Sequence, residues 1–360
     1  MRFVQTDLQT PAVRLALVKE RRSWYRGEMS KPTISDLARL AGVSKTTVSH
    51  AFSGRRHVDP ETCRKIKELA REVGYRPNRS AQSLRTGRTG MIALASSMPF
   101  SIAAGPSRLG FFMEIAATAA VASLTRNQAL CLIPPMEADG ALDAIAMDGA
   151  ILVEPYANDP MVDRFFNSGI PVVSIGRVPG RDGIPFVDLH SYATALMVLN
   201  HLRDAGATKV GLMTGTQRRN SYLETEAAYS AFCENLGIPQ ILVRVDEAGG
   251  EDEAEQCCTA LLRDHPDLDA LYVPVDAFAS GATKAAKSLH RNVPETLRLA
   301  TRYDGSRAKL ADPPLTAVDL HLDALAKLAV DLLIQTIDGQ KGESPSSPMP
   351  RLVPRQSSGT

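Results

Sequence analysis

The feature that most constrains the fold is an alternation of strand-like and helix-like segments, which begins near residue 89 and continues over about 230 residues. Short apolar runs alternate with longer segments in which apolar residues recur every three or four positions. This order is typical of parallel sheets with right-handed helical crossovers. One core rarely grows to that size, so we predict two α/β subdomains. The predicted strands are Met91–Ala95, Ala129–Ile133, Ala150–Glu154, Pro171–Ile175, Pro185–Leu189, Lys209–Met213, Ile241–Val245, Ala270–Pro274, Leu297–Thr301 and Thr316–Leu320. The predicted helices are Phe111–Arg126, Ser191–Ala205, Tyr222–Leu236, Asp252–Asp264, Phe278–Leu289 and Leu322–Ile337.

Residues 32–75 show a different pattern, which predicts three short helices. Ser, Thr and Asp at a helix start accept the first free N–H groups, and proline fits the first helical position. Glycine after a helix takes up a left-handed backbone most easily. The predicted caps are Thr33, Ser44, Asp59 followed by Pro60, Gly42 and Gly74.

Charge is distributed unevenly along the chain. The 360 residues contain 41 Lys and Arg against 40 Asp and Glu, a net charge of +1. Residues 1–90 contain 19 basic and 8 acidic residues, a net charge of +11, whereas residues 91–360 contain 22 and 32, a net charge of −10. Such an asymmetry favours a polyanion-binding module joined to a second, different module.

Several classes of protein are disfavoured by what the sequence lacks. The 44% hydrophobic and 22% charged composition is that of a globular protein. The five cysteines form no CxxC or metal-ligand spacing, which suits a reducing cytosol. We find no apolar leader, no spanning segment and no P-loop, GxGxxG or HExxH motif. We therefore expect a cytoplasmic protein with no membrane contact, no cofactor, no metal and no catalytic residue.

The predicted domain boundaries follow these changes in pattern. The linker at 76–88 can form at most two helical turns, so it is expected to be disordered until a partner holds it. The segment Met29-Ser30-Lys31 directly precedes the first structured element, so residues 1–28 can also be an upstream extension of the reading frame. The predicted segments are 1–30 as an unstructured extension, 31–75 as the three-helix domain of the polyanion-binding module, 76–88 as the linker, and 89–355 as a core whose subdomains are 89–190 plus 320–338 and 191–319 plus 350–356.

The second N-terminal helix carries small and polar side chains on its outer face, opposite an inner stripe that includes Val48 and Phe52. A recognition helix needs such a face, because it enters a groove about 12 Å wide and presents donors to base edges. The alternative is a three-helix bundle that binds protein, but the +11 charge and the basic linker favour DNA. The residues predicted to contact DNA from this helix are Lys45, to guanine or phosphate, Thr46 and Thr47, through a hydroxyl or methyl group, Ser49 and His50.

Further contacts are predicted at helix starts and in a loop. Free N–H groups in a first helical turn can hold phosphates, which places Thr33 and Ser44 near the DNA backbone. His57 either contacts a phosphate or is a loop histidine without a partner. Asp59 is interpreted as a cap, because its charge would repel phosphate.

The sequence resembles the LacI/GalR family of bacterial transcription regulators. The resemblance is dense in SDLARLAGVSKTTVSHAFSG and in VDPETCRKIKELAREVGYRPNRSAQSLRTGRTGMIAL, and it continues through IPVVSIGR, LHRNVPETLRLATRYDG and PPLTAVDL. It implies an N-terminal all-α helix-turn-helix headpiece with a hinge helix. It also implies a C-terminal α/β core of two parallel-sheet subdomains, like that of periplasmic binding proteins.

The resemblance further implies that the linker forms the hinge helix when two subunits meet on an operator. Leu84 would then be the wedge that opens a minor-groove step, with its symmetry mate beside it. The alternative is a leucine that packs back onto its own domain. The hinge residues expected at the DNA are Asn78, Arg79, Ala81, Leu84 and Arg85.

An effector is expected in a cleft between the two subdomains. Ligands of open α/β sheets bind beyond the carboxyl ends of the strands. Asp276 and Asp304 follow strand-like segments there, and each either contacts the ligand or caps a helix or turn. The residues predicted to bind the effector are Phe100, Tyr156, Arg177, Asn220, Thr225, Asp276 and Asp304.

One departure from the family pattern concerns the ligand. Many members place an Arg three residues before a Gly-aromatic pair, and this chain has Thr225 before Ala228-Tyr229. Arginine is the natural clamp for carboxylates and vicinal hydroxyls. Its absence puts the usual sugar or purine mode in doubt, with Arg218, Arg219 or Asn220 as possible substitutes.

Together these patterns predict a homodimeric, sequence-specific DNA-binding regulator, and they favour a repressor over an activator. Its expected partners are a pseudopalindromic double-stranded operator, a small-molecule effector and a second copy of the chain. A solute-binding protein without a regulatory role is the alternative, and the N-terminal domain argues against it. An enzyme is disfavoured because no nucleophile motif stands out.

Overall fold

The computed structural model describes residues 32–53, 56–76, 87–103, 110–133, 145–340 and 343–359. The chain divides into two compact units, an N-terminal unit within residues 1–89 and a core unit within residues 90–360. Each unit has its own buried apolar residues.

The N-terminal unit contains the three predicted helices, α1 (Ile34–Ala41), α2 (Lys45–Ser53) and α3 (Pro60–Val73). Each helix packs against the other two. The rings of Phe52 and Tyr75 are in contact, with their centroids 5.9 Å apart and their planes tilted by 53°. The buried residues of this small core are Leu37, Ala38, Val48, Ala51, Ile66, Leu69, Ala70 and Val73.

The predicted caps close these helices. The Thr33 hydroxyl accepts the Asp36 N–H at 3.3 Å, while the Asp36 carboxylate accepts the Thr33 N–H at 3.0 Å, which forms a capping box. The Asp59 carboxylate caps α3. Gly42 and Gly74 end α1 and α3 at φ 65° and 73°, a left-handed conformation that favours glycine.

The first lobe of the core unit is built on a five-stranded parallel sheet in the order β2-β1-β3-β4-β5. Both β3 and β4 are buried along their whole length, as expected when helices cover both faces of a parallel sheet. The strands are β1 (Met91–Ala95), β2 (Ala129–Ile133), β3 (Gly149–Val153), β4 (Val172–Ile175) and β5 (Phe186–Val187). The helices of this lobe are α4 (Phe100–Ala103), α5 (Phe111–Thr125), α6 (Pro160–Asn167) and α12 (Leu322–Ile337).

The second lobe is built on a four-stranded parallel sheet in the order β7-β6-β8-β9. Its strands are β6 (Val210–Gly215), β7 (Ile241–Val245), β8 (Ala270–Val273) and β9 (Arg298–Thr301). Its helices are α7 (Ser191–Asp204), α8 (Asn220–Leu236), α9 (Gly250–Asp264), α10 (Asp276–Ser288) and α11 (Ser306–Leu310).

The chain passes between the lobes more than once. It leaves the first lobe after β5, and it returns through α12, which packs against β3, β4, β5 and α5. A two-stranded antiparallel sheet pairs β10 (Ala317–Asp319) with β11 (Arg351–Val353). The lobes are therefore interleaved in sequence.

All ten predicted strands form, with ends that differ by at most two residues from those predicted. The six predicted core helices form as well. The prediction lacked α4 and α11, because 4 and 5 residues are too few to show a periodic apolar stripe, and it also lacked α6, which has 8 residues. Asp159 caps α6 and Pro160 occupies its first position, so a local start signal was present.

Within the described part of the chain, we find no helix with the length and apolar character of a membrane span. The same described residues contain no group of three or more His, Cys, Asp or Glu side chains arranged to hold a metal ion.

Candidate DNA-binding face and effector cleft

Helix α2 has a buried side and an exposed side, which define how it can be used. Val48 is fully buried in the small core, whereas Lys45 and Thr46 are exposed. Ser49 and His50 lie half-buried at the borders of this exposed face. The helix thus presents one long cationic side chain and one short hydroxyl to the outside, as a groove-reading helix requires.

The start of α2 uses two of the predicted hydroxyl groups. The Ser44 hydroxyl accepts the Thr47 N–H at 3.0 Å, and the hydroxyl oxygens of these two residues lie 2.8 Å apart. Thr33 has a comparable role at the start of α1. Lys45 and Thr46 are therefore better placed than Thr47 for direct contact with base edges.

A surface concavity of the N-terminal unit is lined by His50, Arg56, His57 and Lys67, together with Cys63. The Arg56 guanidinium, the Lys67 ammonium group and two imidazoles therefore line the same concavity. Groups of these types bind phosphates of the DNA backbone. His57 is exposed there, and its contact with a phosphate stays a prediction.

The predicted hinge contacts lie outside the described residues. They are Asn78, Arg79, Ala81, Leu84 and Arg85.

Glu154 joins the two lobes of the core unit at the carboxyl end of β3. Its carboxylate accepts the Ser221 hydroxyl at 2.6 Å and the Arg302 guanidinium at 3.1 Å, and both donors belong to the second lobe. Glu154 is only 3% exposed. Its backbone has φ 51°, a left-handed conformation that costs a non-glycine residue about 1–3 kcal/mol. Such strain is retained only where the surroundings hold it in place.

Arg219 occupies the centre of the same region and is fully buried. Its guanidinium donates to both carboxylate oxygens of Glu247, at 2.8 and 2.7 Å, and also to the main-chain carbonyl of Glu154. The Tyr156 ring lies 5.5 Å from the guanidinium carbon. Burial acts to lower the pKa of Arg219, but the hydrogen bonds and charge of Glu247 outweigh it, so the pKa lies above its ordinary value.

A third cluster lies around Asp276. Arg307 pairs with Glu251 at 2.8 Å and lies 3.8 Å from Asp276. The Tyr303 hydroxyl donates to Glu114 of the first lobe. Burial raises the pKa of Asp276 above its ordinary value, because the Arg307 charge compensates only in part.

The structure brings together only part of the predicted effector set. Tyr156 lies against Arg219, one of the three predicted substitutes for the missing arginine. Phe100 is exposed at the start of α4, and the guanidinium of Arg177 lies 4.6 Å above the Phe186 ring. Arg177 is thus engaged at the rim of the first sheet.

The remaining predicted residues have local partners or are inaccessible. Asn220 is the first residue of α8, which begins two residues before its predicted start at Tyr222. The Asn220 side-chain amide donates to Glu224 at 2.8 Å. Thr225 is fully buried. Asp304 pairs with Arg355 at 2.5 Å and with Lys309 at 3.6 Å, which favours the structural interpretation of this carboxylate.

Sequence reasoning missed three residues that join the lobes or hold the cleft together. Arg302 stands directly after the end of β9 and Glu247 two residues after the end of β7, where the rule on carboxyl ends of strands would have found them. Glu114 lies within α5, and no local signal distinguishes it.

Asp276→Asn is expected to stabilise the protein at neutral pH. The folded-state pKa of Asp276 lies above the ordinary value of 3.8, so ionisation of this group opposes folding once the pH exceeds the folded pKa. Asparagine removes that cost and retains an oxygen for the Ala277 N–H. The gain should shrink as the pH falls toward 4, and urea unfolding at pH 7 and pH 4 measures it.

Asp323→Asn is the matched control with the opposite sign. A hydrogen bond from Lys327 lowers the pKa of Asp323, so this substitution should remove stability at pH 7 and progressively less as the pH falls through the lowered pKa. An Asp276→Asn protein less stable than the wild type at pH 7 would contradict the assignment.

Comparison with known proteins places this geometry in a class. Residues 33–78 match the bacterial regulatory proteins of the lacI family, and residues 199–358 match the periplasmic binding protein-like domain. The transcriptional regulator CelR of Thermobifida fusca is 26% identical over 87% of this chain and 94% of its own length. The sucrose operon repressor of Pediococcus pentosaceus is 28% identical over 86% of this chain and 93% of its own. A lac repressor dimer bound to operator and the anti-inducer ONPF superposes with a TM-score of 0.74 at 21% identity, over 91% of this chain and 99% of that one.

A helix-turn-helix unit followed by a two-lobed α/β core defines a class of ligand-responsive DNA-binding regulators. The chain combines a helix-turn-helix domain of the bacterial lacI family with a periplasmic binding protein-like domain. Its relatives named above are transcriptional regulators, and the fold confirms the predicted all-α headpiece and parallel-sheet core.

Proposed function

We propose that this LacI-family regulator is a cytoplasmic transcriptional repressor that binds a pseudopalindromic operator as a homodimer and is controlled by a small molecule in the core cleft. The observation that carries the proposal is the exposed face of α2, with Lys45 and Thr46 outward and Val48 buried. The predicted hinge at 76–88 would link this face to the core unit.

An apolar edge of the core unit supports the homodimer. Strand β2 is the edge strand of the first sheet, and Leu132 on it is 40% exposed. Val121 and Leu124 on the neighbouring helix α5 are 64% and 66% exposed. Large exposed apolar side chains on adjacent elements are typical of a surface that a second subunit covers.

The effector of this chain is a proposal of the same kind. A solved structure of the transcriptional regulator CelR in complex with cellobiose resembles this chain at 24% identity and a TM-score of 0.65. The clefts of the two proteins share a fold, but here the cleft contains two buried arginines and two buried glutamates. These four buried charged side chains favour a polar ligand.

Selection of binding sites from genomic DNA with the full-length protein tests the proposed function. We expect enrichment of sites with two inverted half-sites about one helical turn apart, protected together in a footprint. Sites without two-fold symmetry would contradict the homodimer, and the absence of any enriched sequence would contradict the regulatory function.

A further inference from the structure

We propose that Glu154 holds the core cleft closed in the absence of any small molecule, by occupying the position from which a ligand's anionic group would otherwise join the two lobes. The inference rests on the proposed function only for its regulatory meaning. We call the contact of Glu154 with Ser221 and Arg302 the Glu154 bridge.

The geometry of the Glu154 bridge is that of a bound carboxylate. The side chain extends from the end of β3 in the first lobe, and both of its hydrogen-bond donors come from the second lobe. One donor is a hydroxyl at 2.6 Å and the other a guanidinium at 3.1 Å. A ligand carboxylate would be recognised by the same pair of groups.

Burial makes the carboxylate necessary for closure. The Arg302 side chain is buried, with 8% of its surface exposed. The Glu154 carboxylate lies 3.1 Å from it and supplies the opposite charge. A buried charge that loses its partner is strongly destabilising, whereas the same charge in an open cleft is hydrated. Removal of the Glu154 charge therefore shifts the core toward the open state rather than simply weakening one contact.

Other contacts across the cleft depend on closure and report on it. The Ala157 N–H donates to the Arg218 carbonyl at 3.0 Å, which joins the main chains of the two lobes directly. The Ser101 hydroxyl donates to the Glu247 carbonyl at 2.7 Å. All of these contacts join protein groups of one lobe to protein groups of the other.

The regulatory consequence concerns the order of events. A core that is already closed must open, and the Glu154 bridge must break, before an effector can enter. The effector would then compete with the Glu154 carboxylate. Its apparent affinity would equal its affinity for the open core multiplied by the fraction of protein that is open.

Hydrogen exchange of the Ala157 amide tests the inference. Full-length protein is refolded from denaturant, and mass spectrometry confirms that no small molecule remains bound. We expect the Ala157 amide of the wild type to be protected, and Glu154→Gln to reduce that protection about tenfold or more while preserving volume. Ser221→Ala should reduce it less, because it removes a neutral donor and leaves both charges.

Glu226→Gln is the matched control, since Glu226 pairs with Arg244 at 2.8 Å on the surface of the second lobe. It should leave the exchange of Ala157 unchanged, and amides within β6 should stay protected in every variant. An unprotected Ala157 in the wild type, or a Glu154→Gln protein protected like the wild type, would overturn the inference. Operator selection is a separate measurement, so failure of the proposed function would not alter this outcome.

Discussion

Arg219→Met is expected to lower the free energy of unfolding by about 3–5 kcal/mol, because it leaves a buried carboxylate without its partner. The side chains of Arg219 and Glu247 are 0% and 1% exposed, and two hydrogen bonds join them. Methionine fills much of the volume but supplies no charge or donor. Urea unfolding of the full-length protein at pH 7 measures the loss.

Two further variants separate charge from packing. Arg219→Met combined with Glu247→Leu should recover most of the lost stability, because it removes both buried charges. Arg244→Met breaks a comparable pair with Glu226 on the surface, and it should cost about 1 kcal/mol or less. Equal losses for Arg219→Met and Arg244→Met would show that the buried pair has no special importance.

The double variant Lys45→Ala/Thr46→Ala is expected to weaken binding to a selected operator by about 100-fold. Each base contact is worth about 1–3 kcal/mol, and about 1.4 kcal/mol corresponds to a factor of ten. Both side chains are exposed on α2 and belong neither to its cap nor to the core, so folding should be unchanged. Gel-shift titration against the operator and against unrelated DNA measures the effect.

Lys65→Ala provides the control for charge alone. Lys65 is exposed on α3 and pairs with Glu61 at 3.1 Å, so its loss removes one positive charge from the same unit. It should reduce affinity for both DNAs slightly and equally. If the double variant also lost affinity equally for operator and unrelated DNA, α2 would not be the element that reads sequence.

The sequence predicted the local elements well, because their signals lie within a few residues. Thr33, Gly42 and Asp59 close helices in the N-terminal unit as their residue types require. The strands were found because both faces of the parallel sheets are covered, which leaves continuous apolar runs in the sequence. Helix α6 was missed although Asp159 and Pro160 give a local signal for its start.

The cleft was much harder to predict, because its partners are far apart in the chain. Arg219 was one of three candidates in a short segment, and only the fold shows that it pairs with Glu247. Arg302 and Glu154 are 148 positions apart and come from different lobes. Residue type gives the chemistry of such groups, but their pairing depends on how two sheets face each other.

The self-contained N-terminal unit has an evolutionary consequence. Its three helices supply their own caps and bury a core made of their own residues. Substitutions in the core unit that change effector specificity can accumulate without changing the residues that contact the operator. Substitutions in the N-terminal unit can likewise change operator specificity without changing the effector site. After gene duplication, a lineage can therefore rewire its regulatory network by altering one module at a time.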